Sequence, residues 1–161
     1  MSALYRQCAA EIRHYALLLS KDEQLSQDAL QEAFMRYFIA RSEGQRIEHP
    51  RAWVYKVVCN YVLDRLKQSR VRGERSLEDL PALSLRSGDV EAECYRREVF
   101  RLIAKTLTPR ELQCVSLRSR GFRYEEIASA LQLRSGTVGA LISRAMRRMQ
   151  AVVGNRTRRA G

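Results

Sequence analysis

Eight positions near the end of the chain combine small groups with arginines at helical spacing, and this chemistry suits double-stranded DNA. They are Ser135, Thr137, Gly139, Ala140, Ser143, Arg144, Arg147 and Arg148. Small residues at the start of a helix admit a close approach to base edges, and arginines further along reach bases or phosphates. A solvated basic face on a small helical core is the alternative interpretation. The order of the residues favours a helix that reads the major groove.

A second group of residues has the chemistry to bind unpaired bases. Positions three and four apart on one predicted helix carry an aromatic ring, an amide and charged groups: Trp53, Lys56, Asn60, Asp64 and Lys67. An aromatic ring stacks on a base, an amide forms hydrogen bonds with its edge, and cations hold the phosphate backbone. The alternative for Trp53 is a place in the hydrophobic core.

A third face is acidic, although the chain is basic overall. A predicted helix over residues 26–41 carries four residues at positions i, i+3, i+4 and i+7, of which the first three are polar: Asp28, Gln31, Glu32 and Met35. The opposite face is predicted to be buried and contains Leu30, Ala33, Phe34, Tyr37 and Phe38. Because carboxylates repel the DNA backbone, we expect this acidic face to be solvated or to bind a protein partner.

The elements that position the arginine-bearing face begin with a well-marked helix. Thr108 and Pro109 have the residue types of an N-cap and a first helical position. Glu111 follows Thr108 by three residues, so a capping box is expected. Gly121 ends the helix.

The next two helices complete a helix-turn-helix pattern. A short helix is predicted over residues 124–131, followed by a turn over residues 132–134. Ser135 is predicted to cap a long third helix. The buried face of that helix is predicted to contain Val138, Leu141, Ile142, Ala145 and Met149.

The remaining pattern is helical with one interruption. Further helices are predicted over residues 4–19, 51–68 and 90–107, whereas serine, proline and glycine over residues 76–89 indicate a linker. We therefore predict an all-α protein with two small helical domains joined by a flexible linker, the C-terminal one a helix-turn-helix. The predicted boundaries are 1–73 for the first domain, 74–93 for an acidic linker, 94–153 for the second domain and 154–161 for a disordered basic tail.

Charge is distributed in three blocks along the 161 residues, which have a net charge of +11. Residues 1–73 carry 12 Lys and Arg against 8 Asp and Glu, residues 74–93 carry 2 against 6, and residues 94–161 carry 15 against 4. Two basic blocks on either side of an acidic spacer indicate two modules that face nucleic acid.

Several classes of protein are disfavoured by the composition. No apolar run approaches the ~20 residues that span a bilayer, and the N-terminus lacks a signal peptide, so we expect a cytoplasmic protein with no membrane insertion. The 4 cysteines are far apart and only 2 histidines are present, so we expect reduced buried thiols and neither metal nor cofactor. The chain also shows no paired carboxylates, Ser/His/Asp arrangement or phosphate loop, so we expect no enzymatic activity.

Together the motifs resemble the sigma-70 family of bacterial RNA polymerase sigma factors, and within it the extracytoplasmic-function (ECF) group. The resemblance covers residues 4–149 and rests on four motifs in order: DALQEAF, RAWVYKVVCNYVLDRLK, LTPRELQCVSLRSRGFRYEEIASAL and SGTVGALISRAMRRM. It implies a factor that binds core RNA polymerase and promoter DNA and directs promoter-specific initiation without bond chemistry. An anti-sigma factor is a further partner implied by the family.

The resemblance also implies a role for each face. In the family the DALQEAF helix docks on the clamp helices of the largest polymerase subunit. This implies core binding by Asp28, Gln31, Glu32 and Phe34. The following helix is similar to the part that melts and captures the −10 element. The matching positions are Trp53, Lys56, Asn60, Asp64, Arg65 and Lys67. The helix-turn-helix resembles the reader of the −35 element, and the polymerase flap is an expected contact.

The chain departs from the family at several positions of the helix-turn-helix. Gly139 and Ala140 stand where many members have a cation and a serine, Arg123 replaces a frequent serine, and Gln132 replaces a turn glycine. We therefore expect an unusual −35 preference, supported by DNA shape or a further factor. The remaining base-reading side chains are Thr137, Ser143 and Arg144.

Two other classes of protein share parts of this pattern. The C-terminal motifs also resemble the output domain of LuxR-type regulators, which usually have a receiver or ligand-binding domain upstream. A serine recombinase with a C-terminal helix-turn-helix would need a strand-rich catalytic domain. The helical pattern of residues 4–68 favours neither class.

Overall fold

All regular structure in the described part of the chain is α-helix. A computed structural model describes residues 2–72 and 105–157. Within these ranges the helices are α1 (Ser2–Ser20), α2 (Glu23–Ser42), α3 (Pro50–Val71), α4 (Pro109–Ser119), α5 (Tyr124–Leu131) and α6 (Ser135–Thr157). Helices α1 to α3 pack on one another, and α4 to α6 form the second group. The predicted all-α fold is confirmed.

The break between α1 and α2 is shorter than the sequence predicts, because only residues 21 and 22 separate the two helices. Lys21 adopts a left-handed conformation with φ 53°. The Asp22 carboxylate then accepts a hydrogen bond of 3.0 Å from the Leu25 amide and caps α2. Because this cap satisfies a free amide of the first turn, α2 begins at Glu23 rather than at residue 26.

The core of the first helical group follows the predicted stripes with one correction. Ile12, Ala33 and Val54 are fully buried where α1, α2 and α3 meet. Phe38 was predicted to be buried, but its side chain is 55% exposed. The buried stripe of α2 is narrow because alanines and a serine line it, and Phe38 lies outside that stripe. The buried residues of α2 are Ser26, Ala29, Leu30, Ala33, Phe34 and Ala40.

The first helix of the helix-turn-helix has the predicted capping box, and the predicted turns follow α4 and α5. The amide of Glu111 donates to the Thr108 hydroxyl (3.3 Å), and the amide of Thr108 donates to the Glu111 carboxylate (2.9 Å). Gly121 has φ 86° after α4, and Gln132 has φ 55° after α5. A left-handed glutamine costs about 1–2 kcal/mol relative to an ordinary backbone conformation, so this turn is held by the packing around it.

The last helix differs from the prediction at both ends. It begins at Ser135 itself, and the Val138 amide donates to the Arg134 carbonyl (3.1 Å). It continues to Thr157, past Gly154 where the predicted disordered tail begins. Three predicted segments lie wholly or partly outside the described residues. They are the linker over 74–93, the helix over 90–107 except for residues 105–107, and the last four residues, 158–161.

The two helical groups pack against each other through α3. One side of this helix contacts α4 and α5, and buried side chains of both groups form a continuous hydrophobic cluster. The periodicity of the sequence does not predict this contact, because it joins residues that are separated by more than 50 positions.

Candidate nucleic-acid interface

The predicted major-groove face of α6 is largely open to solvent. Its exposed residues are Ser135, Thr137, Ala140, Ser143, Arg144 and Arg147. Gly139 and Arg148 are only half-exposed. The structure therefore brings six of the eight predicted residues together on one accessible surface. The other two, Gly139 and Arg148, pack partly against side chains of the same domain.

Glu111 is the buried charge behind this surface. Its carboxylate has no solvent exposure and accepts hydrogen bonds from the Thr108 amide (2.9 Å) and the Arg148 guanidinium (2.8 Å). The Arg144 Nε lies 3.9 Å from the other carboxylate oxygen. The Thr108 amide lowers the pKa of Glu111 against the effect of burial, and both arginines act in the same direction. Glu111 thus pairs with the guanidinium groups of two predicted DNA-binding side chains.

The sequence predicts Glu111 only as a capping residue. The signal available was its position three residues after Thr108, and nothing local pointed to Arg148, which is 37 positions away. Arg148 also donates to the Thr106 carbonyl (3.2 Å). Two internal partners make Arg148 a residue that fixes α6 against α4.

Gly139 lies against an aromatic ring. A β-carbon at this position would lie 3.5 Å from the nearest ring atom of Tyr124, which is an ordinary van der Waals contact. The Arg118 guanidinium covers the same ring at 5.4 Å from its centroid. A longer side chain at Gly139 would have to displace the Tyr124 ring, so this pair accounts for the small residue in the second turn of α6.

Replacing Gly139 with alanine is expected to stabilise the protein. The methyl group fits beside Tyr124, and alanine favours a helix interior over glycine, so the free energy of unfolding should rise by about 0.5–1 kcal/mol. Chemical denaturation followed by circular dichroism measures the change. The exposed neighbour supplies the control, because Ala140→Gly should lower stability by a similar amount. A loss of stability in Gly139→Ala would contradict the fit of a methyl group beside the Tyr124 ring.

The aromatic ring predicted to stack on bases is half-buried at the edge of α3. The Trp53 ring packs beside Tyr37, with centroids 5.9 Å apart, and the Lys56 ammonium lies 5.8 Å from the indole centroid. Burial lowers the pKa of Lys56, and the nearby Arg110 guanidinium of α4 lowers it further. Trp53 therefore belongs partly to the core and partly to a surface.

The other predicted residues of α3 fall into two groups. The Asn60 amide oxygen accepts a hydrogen bond from Gln113 of α4. Arg65 stacks on the Tyr61 ring at 5.1 Å and donates to its hydroxyl (3.1 Å). The exposed residues toward the end of the helix are Asp64, Arg65 and Lys67. The structure thus separates Trp53, Lys56 and Asn60 at the domain junction from three residues in solvent.

The acidic face of α2 has both polar and apolar members. Gln31 is exposed, and Glu32 pairs with Arg36 at 2.6 Å. The assignment of Phe34 to this face needs correction, because its side chain is only 6% exposed. Its ring packs edge to face against Tyr5 at 4.9 Å between centroids, which places it in the core.

Three apolar residues lie exposed on the outside of α2, and only Met35 among them is predicted from the sequence to lie on the acidic face. Their side chains are 53%, 55% and 44% exposed for Met35, Phe38 and Ile39 respectively. Large exposed apolar groups at spacings of three and four mark a candidate protein contact. The sequence does not reveal this apolar surface, because the position of Phe38 on the helix is also compatible with the predicted buried stripe. We name Gln31, Met35, Phe38 and Ile39 the outer face of α2.

A helical domain joined to a capped helix-turn-helix defines a two-domain DNA-binding protein, and comparison with known proteins gives its family. The model of Sigma-70 region 2 matches residues 4–72, and the model of Sigma-70 region 4 matches residues 96–149. The chain belongs to the sigma-70 family, in the ECF group. It is a sigma factor that directs promoter-specific transcription, and its partners are core RNA polymerase and promoter DNA.

Curated relatives support this assignment along almost the whole chain. The ECF RNA polymerase sigma factor SigM of Mycobacterium tuberculosis is 25% identical over 152 residues, which cover 94% of this chain and 76% of the relative. SigL of the same organism is 28% identical over 153 residues, which cover 93% and 86%. These matches do not favour a stand-alone LuxR-type regulator.

A solved structure has the same fold. It is the co-crystal structure of the sigma factor RpoE in complex with the anti-sigma factor NepR from Bartonella quintana, with a TM-score of 0.58 and 19% identity. The match covers 95% of this chain and 96% of that chain. Among the described helices of this protein, none is long and apolar enough to cross a membrane.

Proposed function

We propose that three faces divide the work of initiation: α6 reads the −35 duplex, α3 captures the −10 strand, and α2 docks on core polymerase. The observation that carries this proposal is the separation of the three chemistries. Basic and small polar groups are exposed on α6, an aromatic ring with an amide and a cation lies on α3, and apolar groups with acidic neighbours lie on α2. Residues 1–73 and 94–153 would form the two working domains.

The −35 contact is supported by the accessibility of α6. Thr137, Ser143 and Arg144 are exposed on its outer face and can reach base edges or phosphates. Arg147 is exposed and suits a phosphate contact. The Tyr124 ring leaves no room for a long side chain at Gly139, and Ala140 next to it carries only a methyl group. Few side chains at the start of α6 can therefore read bases. The preference at −35 should therefore depend in part on DNA shape.

The −10 contact is supported by Trp53 and the residues one turn away. Stacking of a base on an aromatic ring contributes about 1–3 kcal/mol, and melting a base-pair step costs roughly 1.4 kcal/mol. A single stacked base therefore offsets about one melted step, so opening needs further pockets and backbone contacts made with polymerase. Because binding energy alone offsets the cost of melting, the proposed mechanism makes or breaks no covalent bond and needs no enzyme active site. The protein would act together with polymerase in the cytoplasm.

Docking of the outer face of α2 on the polymerase clamp helices is supported by its composition. Exposed Met35, Phe38 and Ile39 would form the apolar centre of the contact. Asp28, Gln31 and Glu32 would form its polar rim. Interfaces typically draw most of their energy from a few such central side chains, and a rim of charges sets orientation and association rate. RpoE of Bartonella quintana is in complex with the anti-sigma factor NepR, and an anti-sigma factor of this protein would compete for the faces used in initiation.

Reconstitution with core polymerase tests the proposal. Purified protein mixed with core enzyme that lacks other sigma factors is expected to form a stable complex and to give discrete start sites in run-off transcription from genomic fragments. Tight specific binding to duplex DNA by the protein alone, with no association with cognate core, would contradict it and favour a stand-alone regulator.

Phe38→Ala tests the docking surface in the same assay. Loss of a central apolar contact should weaken core binding by about tenfold or more, which corresponds to about 1.4 kcal/mol or more. Met146→Ala is the matched control, because Met146 is 47% exposed on α6 and lies outside the proposed docking face. Equal core affinity for Phe38→Ala and the wild type, measured by fluorescence anisotropy, would remove Phe38 from the interface.

A further inference from the structure

An exposed arginine in the second half of α3 is held by the aromatic ring one turn before it. The Arg65 guanidinium lies 5.1 Å from the Tyr61 ring centroid and donates a hydrogen bond of 3.1 Å to the Tyr61 hydroxyl. The Tyr61 side chain is half-buried and packs against the hydrophobic core. Because a partly buried ring is a fixed support, Arg65 has a preferred position although its side chain is in solvent.

The end of α3 that carries this pair is strongly basic. Residues 61–72 contain four cations and one anion, Asp64. The helix dipole favours cations in the last turn of a helix, but this effect falls off within that turn. Arg65 lies six positions before the end of α3 at Val71. The dipole therefore does not account for Arg65 or for its contact with Tyr61.

The contact with Tyr61 uses only one donor of the guanidinium. An arginine has five N–H donors in a planar fork, and the Tyr61 hydroxyl accepts from a terminal nitrogen of Arg65. The other donors suit a phosphate, which arginine binds through two parallel hydrogen bonds. Stacking on a fixed ring also reduces the conformational entropy that a long side chain loses on binding. The pair is therefore a guanidinium prepared to bind an oxyanion.

The length of α3 separates this pair from the ring that is proposed to stack on bases. Trp53 and Arg65 are 12 positions apart, which is about 18 Å along an α-helix. A base stacked on Trp53 and a phosphate bound at Arg65 therefore belong to different nucleotides. Phosphates of a duplex keep fixed positions at about 3.4 Å of axis per nucleotide of each strand. A guanidinium that is held in place gains most from such a fixed partner.

We propose that Tyr61 is a positioning residue that holds the Arg65 guanidinium for one backbone phosphate of the duplex beside the melted −10 bases. This inference rests on the proposed role of α3 in −10 capture. Arg65 makes the contact with the phosphate, and Tyr61 acts through Arg65. A phosphate contact carries no base sequence information, but it fixes the register of α3 on the promoter so that Trp53 meets the intended base.

Three substitutions separate the hydroxyl, the ring and the cation. Tyr61→Phe removes only the acceptor of the hydrogen bond, Tyr61→Leu removes the ring but keeps apolar bulk beside the core, and Arg65→Ala removes the guanidinium. The matched controls are Tyr5→Phe and Arg13→Ala, which remove a hydroxyl and a cation from exposed residues of α1 outside the proposed DNA-binding faces. Circular dichroism should give the same helical content for every variant at the temperature of the assay.

Affinity for a forked DNA probe measures the contact. The probe is fluorescein-labelled promoter DNA, mapped by run-off transcription, that is duplex up to the −10 element and single-stranded within it. Holoenzyme reconstituted with core polymerase should bind it about tenfold more weakly with Arg65→Ala, about fivefold with Tyr61→Leu and about twofold with Tyr61→Phe. Both control variants should match the wild type. Because Tyr61 acts through Arg65, Tyr61→Leu should have no further effect in Arg65→Ala protein.

The salt dependence of binding distinguishes a positioning role from a structural one. Each phosphate contact contributes about 0.9 to the slope of log affinity against log salt concentration. The slope should become shallower by about 0.9 for Arg65→Ala and by up to about 0.9 for Tyr61→Leu. A Tyr61 ring that only packed against the core would leave the slope unchanged. An unchanged slope in Tyr61→Leu, or additive losses of affinity in the double variant, would overturn the proposal.

Trp53→Ala in the same assay separates failure of this inference from failure of the proposed function. If Trp53→Ala weakens binding of the probe and Arg65→Ala does not, α3 captures the −10 strand without a phosphate contact at Arg65, and this inference alone is overturned. If neither variant weakens binding, the proposed −10 role of α3 fails together with it.

Discussion

Trp53→Ala is expected to lower the extent of promoter opening by about tenfold while leaving affinity for core polymerase unchanged. Loss of base stacking on an aromatic ring costs about 1–3 kcal/mol, and tenfold corresponds to about 1.4 kcal/mol. The outer face of α2 lies on another helix, so core binding should be preserved. Permanganate reactivity of thymines in the −10 element measures opening, and anisotropy measures core binding.

The conservative variant separates stacking from packing. Trp53→Phe keeps an aromatic face beside Tyr37 and Lys56, so opening should stay within a few-fold of the wild type. If Trp53 were only a core residue, alanine would lower thermal stability while the folded fraction opened promoters normally. Normal permanganate reactivity in folded Trp53→Ala would therefore contradict the proposed role of the ring.

Glu111→Ala is expected to lower the free energy of unfolding by about 2–4 kcal/mol. A lost helix cap costs about 1 kcal/mol and a lost hydrogen bond to a charged group about 1.5–3 kcal/mol. The Glu111 carboxylate accepts both kinds of bond, from the Thr108 amide and from Arg148. Urea denaturation followed by circular dichroism measures the loss.

Glu111→Gln isolates the contribution of the negative charge. The pKa of Glu111 in the folded protein is lowered from its ordinary value of 4.5, so its contribution to stability is present above that value. The contribution is lost as the pH falls through the lower folded-state pKa. The stability of the wild type relative to Glu111→Gln should therefore decrease below about pH 4.5. A difference in unfolding free energy that stayed constant from pH 7 to pH 3 would contradict this linkage.

Local sequence signals were sufficient to predict the helix boundaries at the start of the helix-turn-helix. Thr108 with Glu111 marks the start of α4, and the structure contains the predicted capping box. Residues 124–131 were predicted as a helix, and α5 has the same bounds. These features depend on residues within one turn of each other, so their energies are nearly independent of the rest of the fold. The cap at Asp22 was missed because a polar stretch before a helix resembles a simple break.

Burial was predicted less well because periodicity does not say how wide a buried stripe is. Phe34 and Phe38 are one turn apart on α2, yet one is in the core and the other in solvent. The difference arises from the narrow alanine-lined contact that α2 makes with α1 and α3. Residue type alone could not distinguish a core phenylalanine from one on a docking surface.

By itself the sequence determined the all-α class, the helix-turn-helix, the family and the residue types on each face, because these follow from short-range spacing and from motif order. Only the tertiary structure decided that Glu111 is a buried anchor for Arg148 and that Phe122 joins the second domain to α3. The physical reason is that both contacts form between distant parts of the chain. Their energies depend on packing and on the loss of solvent around charged groups, which no local pattern records.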